Sequence, residues 1–183
     1  MLINELFDLL DDWRNLPAYQ LERRADIFFA LHLKQILEKK FQVEIEKEII
    51  PEFPIRKGNI PGQHEKNNQS FKVDYLALSK DRNQVYLIEL KTDMDSKNLK
   101  QDDYLKKAAE LKLRGLINGL IKIVEKTRKR KKYNYLLDKV EKAKLIKQVN
   151  GQLINICGDM KTRVVYIQPK NIDGHENTIH LMR

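Results

Sequence analysis

The hydrophobic pattern is clearest in residues 71–92, where two runs of β-branched, aromatic and aliphatic side chains flank a polar tetrad, Lys80 to Asn83. Two such runs around a short polar turn are typical of a β-hairpin. Both faces of this hairpin are apolar, which predicts central strands that are covered on both sides. We expect the rest of the chain to be built around it.

Charged residues interrupt one apolar face of this hairpin. If Ser79 pairs with Gln84, antiparallel pairing places Asp74 opposite Glu89, and side-chain alternation puts Lys91 on the same face. A shift of one residue would move Asp74 to the other face. Because burying ionised carboxylates is costly, this trio favours a bound cation, and oxygen ligands suit Mg²⁺ or Mn²⁺. An ordinary cross-strand ion pair is the alternative interpretation.

Periodicity before the hairpin predicts two helices and a strand. Residues 1–13 and 20–40 carry apolar side chains at helical spacing, whereas residues 42–50 alternate and predict a strand with one wet face. The connection 51–70 contains three prolines and two glycines. A connection of that length is usually functional or disordered, so this one either folds over a bound nucleic acid or is mobile.

The pattern after the hairpin predicts two more helices and further strands. The first helix spans about 97–124, and Gly115 and Gly119 predict either a break or a close-packing position within it. The second spans about 133–149 and ends at Asn150-Gly151. Strands are predicted at 153–157, 163–168 and 179–182.

Together these elements predict one α/β domain over 1–183, with a mixed central sheet flanked by helices. The net charge of +9 favours a polyanionic partner, nucleic acid first. No apolar run approaches the length of a membrane span, and the acidic, amphipathic N-terminus is unlike a secretory signal. The single cysteine, Cys157, excludes an internal disulfide and is predicted to lie in the core. We therefore expect a cytoplasmic location, no membrane partner and an undetermined oligomeric state.

Asp74, a spacer and then Glu89-Leu90-Lys91 resemble the motif of the PD-(D/E)XK nuclease superfamily. Val73 stands where the motif name has proline. The resemblance implies a restriction-endonuclease-like core and metal-dependent hydrolysis of phosphodiester bonds in DNA. It also implies that Asp74 and Glu89 bind Mg²⁺ or Mn²⁺. Lys91 would orient or activate the attacking water and stabilise developing negative charge.

Two helices supply further candidates for the catalytic site. Glu22 lies on the apolar stripe of the helix 20–40, and the first core helix of the resembled superfamily often contributes a glutamate. Asp26 is the rival candidate, and a first-turn acid that interacts with the helix dipole is the structural alternative. Gln101 and Tyr104 share one face near the start of the next helix and resemble the Gln/Tyr motif of exonuclease branches. Their alternative roles are an exposed glutamine and a packed tyrosine.

The densest basic run, residues 126–132, falls between two predicted helices. Its candidates for nucleic-acid binding are Arg128, Lys129, Arg130, Lys131 and Lys132. They would contact DNA phosphates, although a solvated linker is equally compatible with the pattern. The sequence as a whole predicts a Mg²⁺-dependent deoxyribonuclease. The alternatives are a non-catalytic nucleic-acid-binding module with the same fold and an interaction protein whose charged trio is an ordinary ion-pair cluster.

Overall fold

The structure is a computed structural model that describes residues 5, 9, 12–13, 16, 24–90, 99–168 and 178–180. Its helices are α1 (Arg24–Phe41), α2 (Leu99–Glu110), α3 (Lys112–Lys126) and α4 (Asn134–Lys142). Its strands are β1 (Ile50–Arg56), β2 (Ser70–Leu78), β3 (Gln84–Leu90), β4 (Ile146–Val149), β5 (Gln152–Asn155), β6 (Lys161–Gln168) and β7 (Thr178–His180). Of the first predicted helix, residues 5, 9, 12 and 13 are described, and all four are helical.

Five strands form the main sheet in the order β1-β2-β3-β6-β7. The β1–β2 and β2–β3 pairs are antiparallel, whereas β3–β6 and β6–β7 are parallel. A separate two-stranded sheet joins β4 and β5. The α/β class and the mixed sheet are therefore as predicted. None of the described helices is long and apolar enough to cross a membrane.

The hairpin of β2 and β3 has the predicted register. Tyr75 pairs with Ile88 and Leu78 with Val85, and the backbone N–H of Ser79 donates to the carbonyl of Gln84 at 3.0 Å. The turn is reinforced by its own side chains, because Asp81 accepts hydrogen bonds from the Ser79 hydroxyl and the Asn83 backbone N–H. Both strands are central in the sheet, as the apolar pattern on both faces predicts.

Aromatic contacts and one buried hydrogen bond show what covers each face. On one face, Phe41 at the end of α1 stacks on Tyr86 with ring centroids 4.9 Å apart. On the opposite face, Tyr166 of β6 donates a hydrogen bond to Asp102 in α2. Because alternate residues of a strand point to opposite faces, Asp74 and Glu89 share the face that α2 covers.

The prediction of a strand at residues 42–50 is wrong. Residues 42–49 contain one isolated β-bridge, from Ile45 to Ser79, and the strand proper is Ile50–Arg56. Pro51 and Pro54 lie inside this strand, which is why its sequence reads as a loop. Proline is tolerated here because β1 is an edge strand, which pairs with a neighbour on one side only.

The connection from β1 to β2 is ordered around a buried arginine. Arg56 is 1% exposed, and its guanidinium donates to Asn68 at 3.0 Å, Asn59 at 2.8 Å and the Glu65 carbonyl at 2.6 Å. A Cβ on Gly58 would lie 2.4 Å from the Asn67 carbonyl, so the loop packs too closely for a side chain there. The segment 57–69 is thus a packed loop at the same end of the sheet as the C-terminus of β3.

The helix predicted over 97–124 is two helices. The break falls at Leu111, where the next residue, Lys112, has a left-handed φ of +52°. Gly119 instead fills the close-packing role, since a Cβ there would lie 3.2 Å from Cβ of Arg56. The neighbouring Gly115 carbonyl accepts a hydrogen bond from Asn59 at 3.1 Å, which ties α3 to the loop after β1.

The helix predicted over 133–149 is wrong beyond Lys142, where α4 ends. Asn150 and Gly151, with φ of +50° and +78°, do not cap a helix but form the turn between β4 and β5. Positive φ at both central residues is the requirement of a two-residue hairpin turn, and Asn-Gly is its commonest sequence. Cys157 is buried, as predicted, and burial raises the pKa of its thiol.

Candidate active site

The two predicted carboxylates lie on the neighbouring strands of the central hairpin. The ladder ends at the pair of Tyr75 with Ile88, and its continuation by one residue would put Asp74 opposite Glu89 on one face. Oδ2 of Asp74 accepts a hydrogen bond from the backbone N–H of Leu90 at 2.7 Å. This bond fixes the half-buried carboxylate of Asp74 against the strand that carries Glu89.

Glu89 is 6% exposed, which is unusual for a carboxylate. The parallel pairing of β3 with β6 places Tyr166 directly beside it. The Tyr166 hydroxyl donates to Oδ1 of Asp102 at 3.1 Å. Burial raises the pKa of Tyr166 far above its usual range, and the carboxylates of Asp102 and Glu89 raise it further. The hydroxyl therefore stays protonated and remains a donor at physiological pH.

Asp102 and Tyr166 are residues of the site that sequence reasoning missed. Asp102 is only 8% exposed, although it lies in the first turn of α2. A signal for it existed, because Asp102 is three residues before Leu105 and six before Ala108, on the apolar stripe of the helix. Its partner Tyr166 was harder to find, because the sequence around Tyr166 has the alternating pattern of an ordinary core strand.

Tyr104 lies two residues after Asp102 in α2 and is half-buried. Its ring stacks on Phe71 with centroids 5.5 Å apart, and Nζ of Lys57 lies 5.7 Å from the centroid of the Tyr104 ring. The described contacts of Tyr104 are thus with the start of β2 and the loop after β1. They agree with the packed tyrosine that was the alternative role for this residue.

A second charged pair lies on β1 and β2 beside Asp74. Nζ of Lys72 is 3.1 Å from Oε2 of Glu52, and the side chains are 35% and 14% exposed. The flanking pairs, Pro51 with Tyr75 and Phe53 with Val73, put Glu52 level with Asp74. Glu52 has a left-handed φ of +51° inside a strand. For a residue other than glycine, such a backbone costs on the order of 1–3 kcal/mol and is often found at functional sites.

The donor set limits which ion could bind. Among the described residues no three His, Cys, Asp or Glu side chains converge as a metal centre. Mg²⁺ is commonly held by one or two carboxylates, with water and substrate phosphate completing its shell, so the pair of Asp74 and Glu89 fits such an ion. Around this pair, the described carboxylates of Glu52, Asp74 and Glu89 outnumber the ammonium of Lys72, which also favours a divalent cation.

Several predicted site residues lie outside the described part of the chain. Glu22 and Lys91 are not described. For Gln101 and for Asp26, the rival of Glu22, the structure gives the helical backbone and not the side chain. The roles predicted for these four residues remain predictions.

The basic run lies on the surface between α3 and α4. Residues 128–132 are all exposed, and Arg130–Tyr133 form a short 3-10 helix. Arg130 donates to the carbonyl of Gly151 at 3.4 Å, so the run lies beside the β4–β5 turn. Its described contacts do not include β2 or β3. The run is therefore accessible to a polyanion, as both interpretations of the sequence require.

Comparison of the chain with protein-family models, curated proteins and solved structures gives no match.

Proposed function

We propose that this protein is a Mg²⁺- or Mn²⁺-dependent nuclease of the PD-(D/E)XK type, which hydrolyses phosphodiester bonds of DNA as a single cytoplasmic domain. The observation that carries the proposal is the register of β2 and β3, which implies that Asp74 and Glu89 share one face of two central strands, together with the hydrogen bond from the Leu90 N–H to Asp74. The order of helix, antiparallel strands β1 to β3, helix and parallel strand β6 supports a restriction-endonuclease-like core.

Each residue of the proposed site has a distinct role. Asp74 and Glu89 would hold the metal ion, which when bound polarises a phosphate and lowers the pKa of its water. The Leu90 N–H orients the Asp74 carboxylate. Tyr166 and Asp102 fill the space beside Glu89 and exclude water from its buried side.

Lys91 follows Glu89 by two residues, the spacing that puts both side chains on one face of an extended strand. Its ammonium would stabilise the negative charge that develops on the phosphate during hydrolysis. Glu22 would add a carboxylate from the first helix, and Gln101 and Tyr104 would position the substrate or the lysine. The surface run Arg128 to Lys132 would hold the DNA through its phosphates.

The test is incubation with linear, circular and single-stranded DNA, and with RNA, in Mg²⁺, Mn²⁺ or EDTA. We expect cleavage that requires a metal ion and is abolished in Asp74→Ala, Glu89→Ala and Lys91→Ala. Cleavage of circular DNA would identify an endonuclease. The control is Asp138→Ala, which changes an exposed carboxylate on α4 and should cleave like the wild type. Full activity of Glu89→Ala would sink the nuclease assignment.

A non-catalytic nucleic-acid-binding module is the second candidate, and the exposed basic run favours it independently of the carboxylates. It predicts DNA binding without cleavage under every metal condition. It also predicts that the Asp74→Ala and Glu89→Ala proteins bind DNA as the wild type does.

A further inference from the structure

Lys72 is a charged residue of the site face that the proposed mechanism does not use. It lies two residues before Asp74 on β2, so both side chains are on the same face of the strand. Its ammonium is held 3.1 Å from the Glu52 carboxylate, and about a third of the side chain remains exposed. The lysine is thus fixed in position and still accessible from solvent.

We infer that Lys72 binds a phosphate group of the nucleic acid next to the one cleaved, and that Glu52 is the positioning residue for Lys72. The inference rests on the proposed nuclease function and names one contact of its substrate. A lysine ammonium has three N–H donors, so a bond to Glu52 leaves donors for a phosphate oxygen. The ammonium also offsets the negative charge of Glu52, which the metal ion proposed for Asp74 and Glu89 does not.

The backbone of Glu52 supports this assignment. A strand at the sheet edge could place an acid opposite Lys72 with ordinary extended geometry, yet Glu52 has a φ of +51°. The strained residue lies across from Asp74, in the same row of the sheet as the proposed metal ligands. The competing explanation is a structural ion pair that contributes only to stability.

The chain contains a matched control for that explanation. Lys80 follows β2 at its other end and pairs with Glu44 at 2.7 Å across the edge of the sheet. Both side chains are exposed and are remote along β2 from Asp74. If a lysine at either end of β2 contributed equally to binding, the Lys72→Gln and Lys80→Gln proteins would behave alike.

The experiment measures binding of a short fluorescent DNA duplex over a range of salt concentrations with Mg²⁺. All proteins carry Glu89→Gln, which blocks turnover. Lys72→Gln should bind about tenfold more weakly, and its plot of log K against log salt should be less steep by about 0.9. Lys72→Arg should keep the slope, and Lys80→Gln should match the parent. The double variant Lys72→Gln/Glu52→Gln should behave as Lys72→Gln, and it also removes the half-buried carboxylate that has lost its ion pair with Lys72.

Glu52 is tested by comparing two variants that lose the same charge. Glu52→Gln keeps an oxygen that can accept from Lys72, whereas Glu52→Ala does not. We expect Glu52→Gln to bind DNA severalfold more tightly than Glu52→Ala. Equal affinity of these two would overturn the positioning role.

An unchanged slope in both proteins that carry Lys72→Gln would overturn the phosphate contact. Failure of the phosphate contact can be distinguished from failure of the proposed function, because the proposed function is tested separately by DNA cleavage with the wild type. If the wild type cleaves DNA while the Lys72→Gln slope is unchanged, only the inference about Lys72 is wrong. If the wild type binds DNA without cleaving it, the nuclease proposal fails and the slope still decides whether Lys72 binds phosphate.

Discussion

Replacing Asp74 by asparagine separates a metal site from a structural ion-pair cluster. The substitution removes one negative charge and keeps the shape of the side chain. Asparagine also keeps a carbonyl oxygen, so the 2.7 Å hydrogen bond from the Leu90 N–H can persist. The change in stability then reports mainly the electrostatic interaction of residue 74 with the partly desolvated face around it.

The size of the effect follows from the sheet geometry. Opposed residues on neighbouring strands have Cβ atoms about 5 Å apart. Two carboxylates at roughly 6 Å repel by about 3 kcal/mol at an effective dielectric constant of about 20. The ammonium of Lys72, and that of Lys91 if it lies where the sequence predicts, would offset part of this. We therefore expect the metal-free Asp74→Asn protein to be at least as stable as the wild type, and more stable by up to about 1 kcal/mol.

Binding of metal should make the wild type more stable than Asp74→Asn. An ion at a hundredfold its dissociation constant stabilises the folded state by about 2.7 kcal/mol. For a chain of this size, each kcal/mol shifts Tm by about 2–4 °C. Excess Mg²⁺ should thus raise the Tm of the wild type by about 5–11 °C and that of Asp74→Asn by little.

The assay is a set of thermal melts in EDTA and in excess Mg²⁺. Asp138→Asn serves as the control, because it removes an exposed carboxylate on α4 and should respond to Mg²⁺ as the wild type does. The metal-site argument is refuted if Asp74→Asn melts several degrees below the wild type in EDTA and neither protein responds to Mg²⁺. That outcome would show that the charges on this face form a structural cluster.

Two further predictions concern other parts of the molecule. Changing Arg128, Arg130 and Lys131 to glutamine should weaken DNA binding and flatten its salt dependence by roughly 0.7–0.9 per lost contact; an unchanged slope would identify a solvated linker. Tyr166→Phe removes the donor to Asp102 and should cost about 1–3 kcal/mol in urea unfolding at neutral pH. Because folding raises the pKa of Tyr166, the contribution of its hydroxyl to the free energy of unfolding is present below about pH 10 and is lost as pH rises further. The difference in the free energy of unfolding between wild type and Tyr166→Phe should therefore narrow above about pH 10, and a constant difference would contradict this.

The hairpin was predictable because local rules determine it. The alternating pattern assigned the two faces, and the polar tetrad offered one short turn between them. Its side chains then hold the register, since Asp81 and Ser79 bond to each other and to the backbone of the turn. The pairing of Asp74 with Glu89 follows from that register alone.

Tertiary context overrode local rules where the sequence prediction was wrong. Pro51 and Pro54 argue against a strand, yet an edge position removes the penalty. Asn150-Gly151 fits both a helix end and a hairpin turn, and only the pairing of β4 with β5 distinguishes them. Arg56 gave no signal of burial, because its partners Asn59, Glu65 and Asn68 lie in a loop that acquires its shape around the arginine.

The candidate site combines contacts between residues that are close in sequence and contacts between residues that are far apart. Only the contacts between residues close in sequence could be predicted. Leu90 and Asp74 are 16 residues apart, whereas Tyr166 and Asp102 are 64 apart. A hairpin contact closes a short loop and forms at small entropic cost, whereas Tyr166 reaches Glu89 only after β6 has paired with β3 in parallel. The hairpin alone would leave Glu89 open to water on the side that Tyr166 and Asp102 cover. The low-dielectric surroundings that strengthen the interaction of a carboxylate with a cation therefore depend on the distant half of the chain.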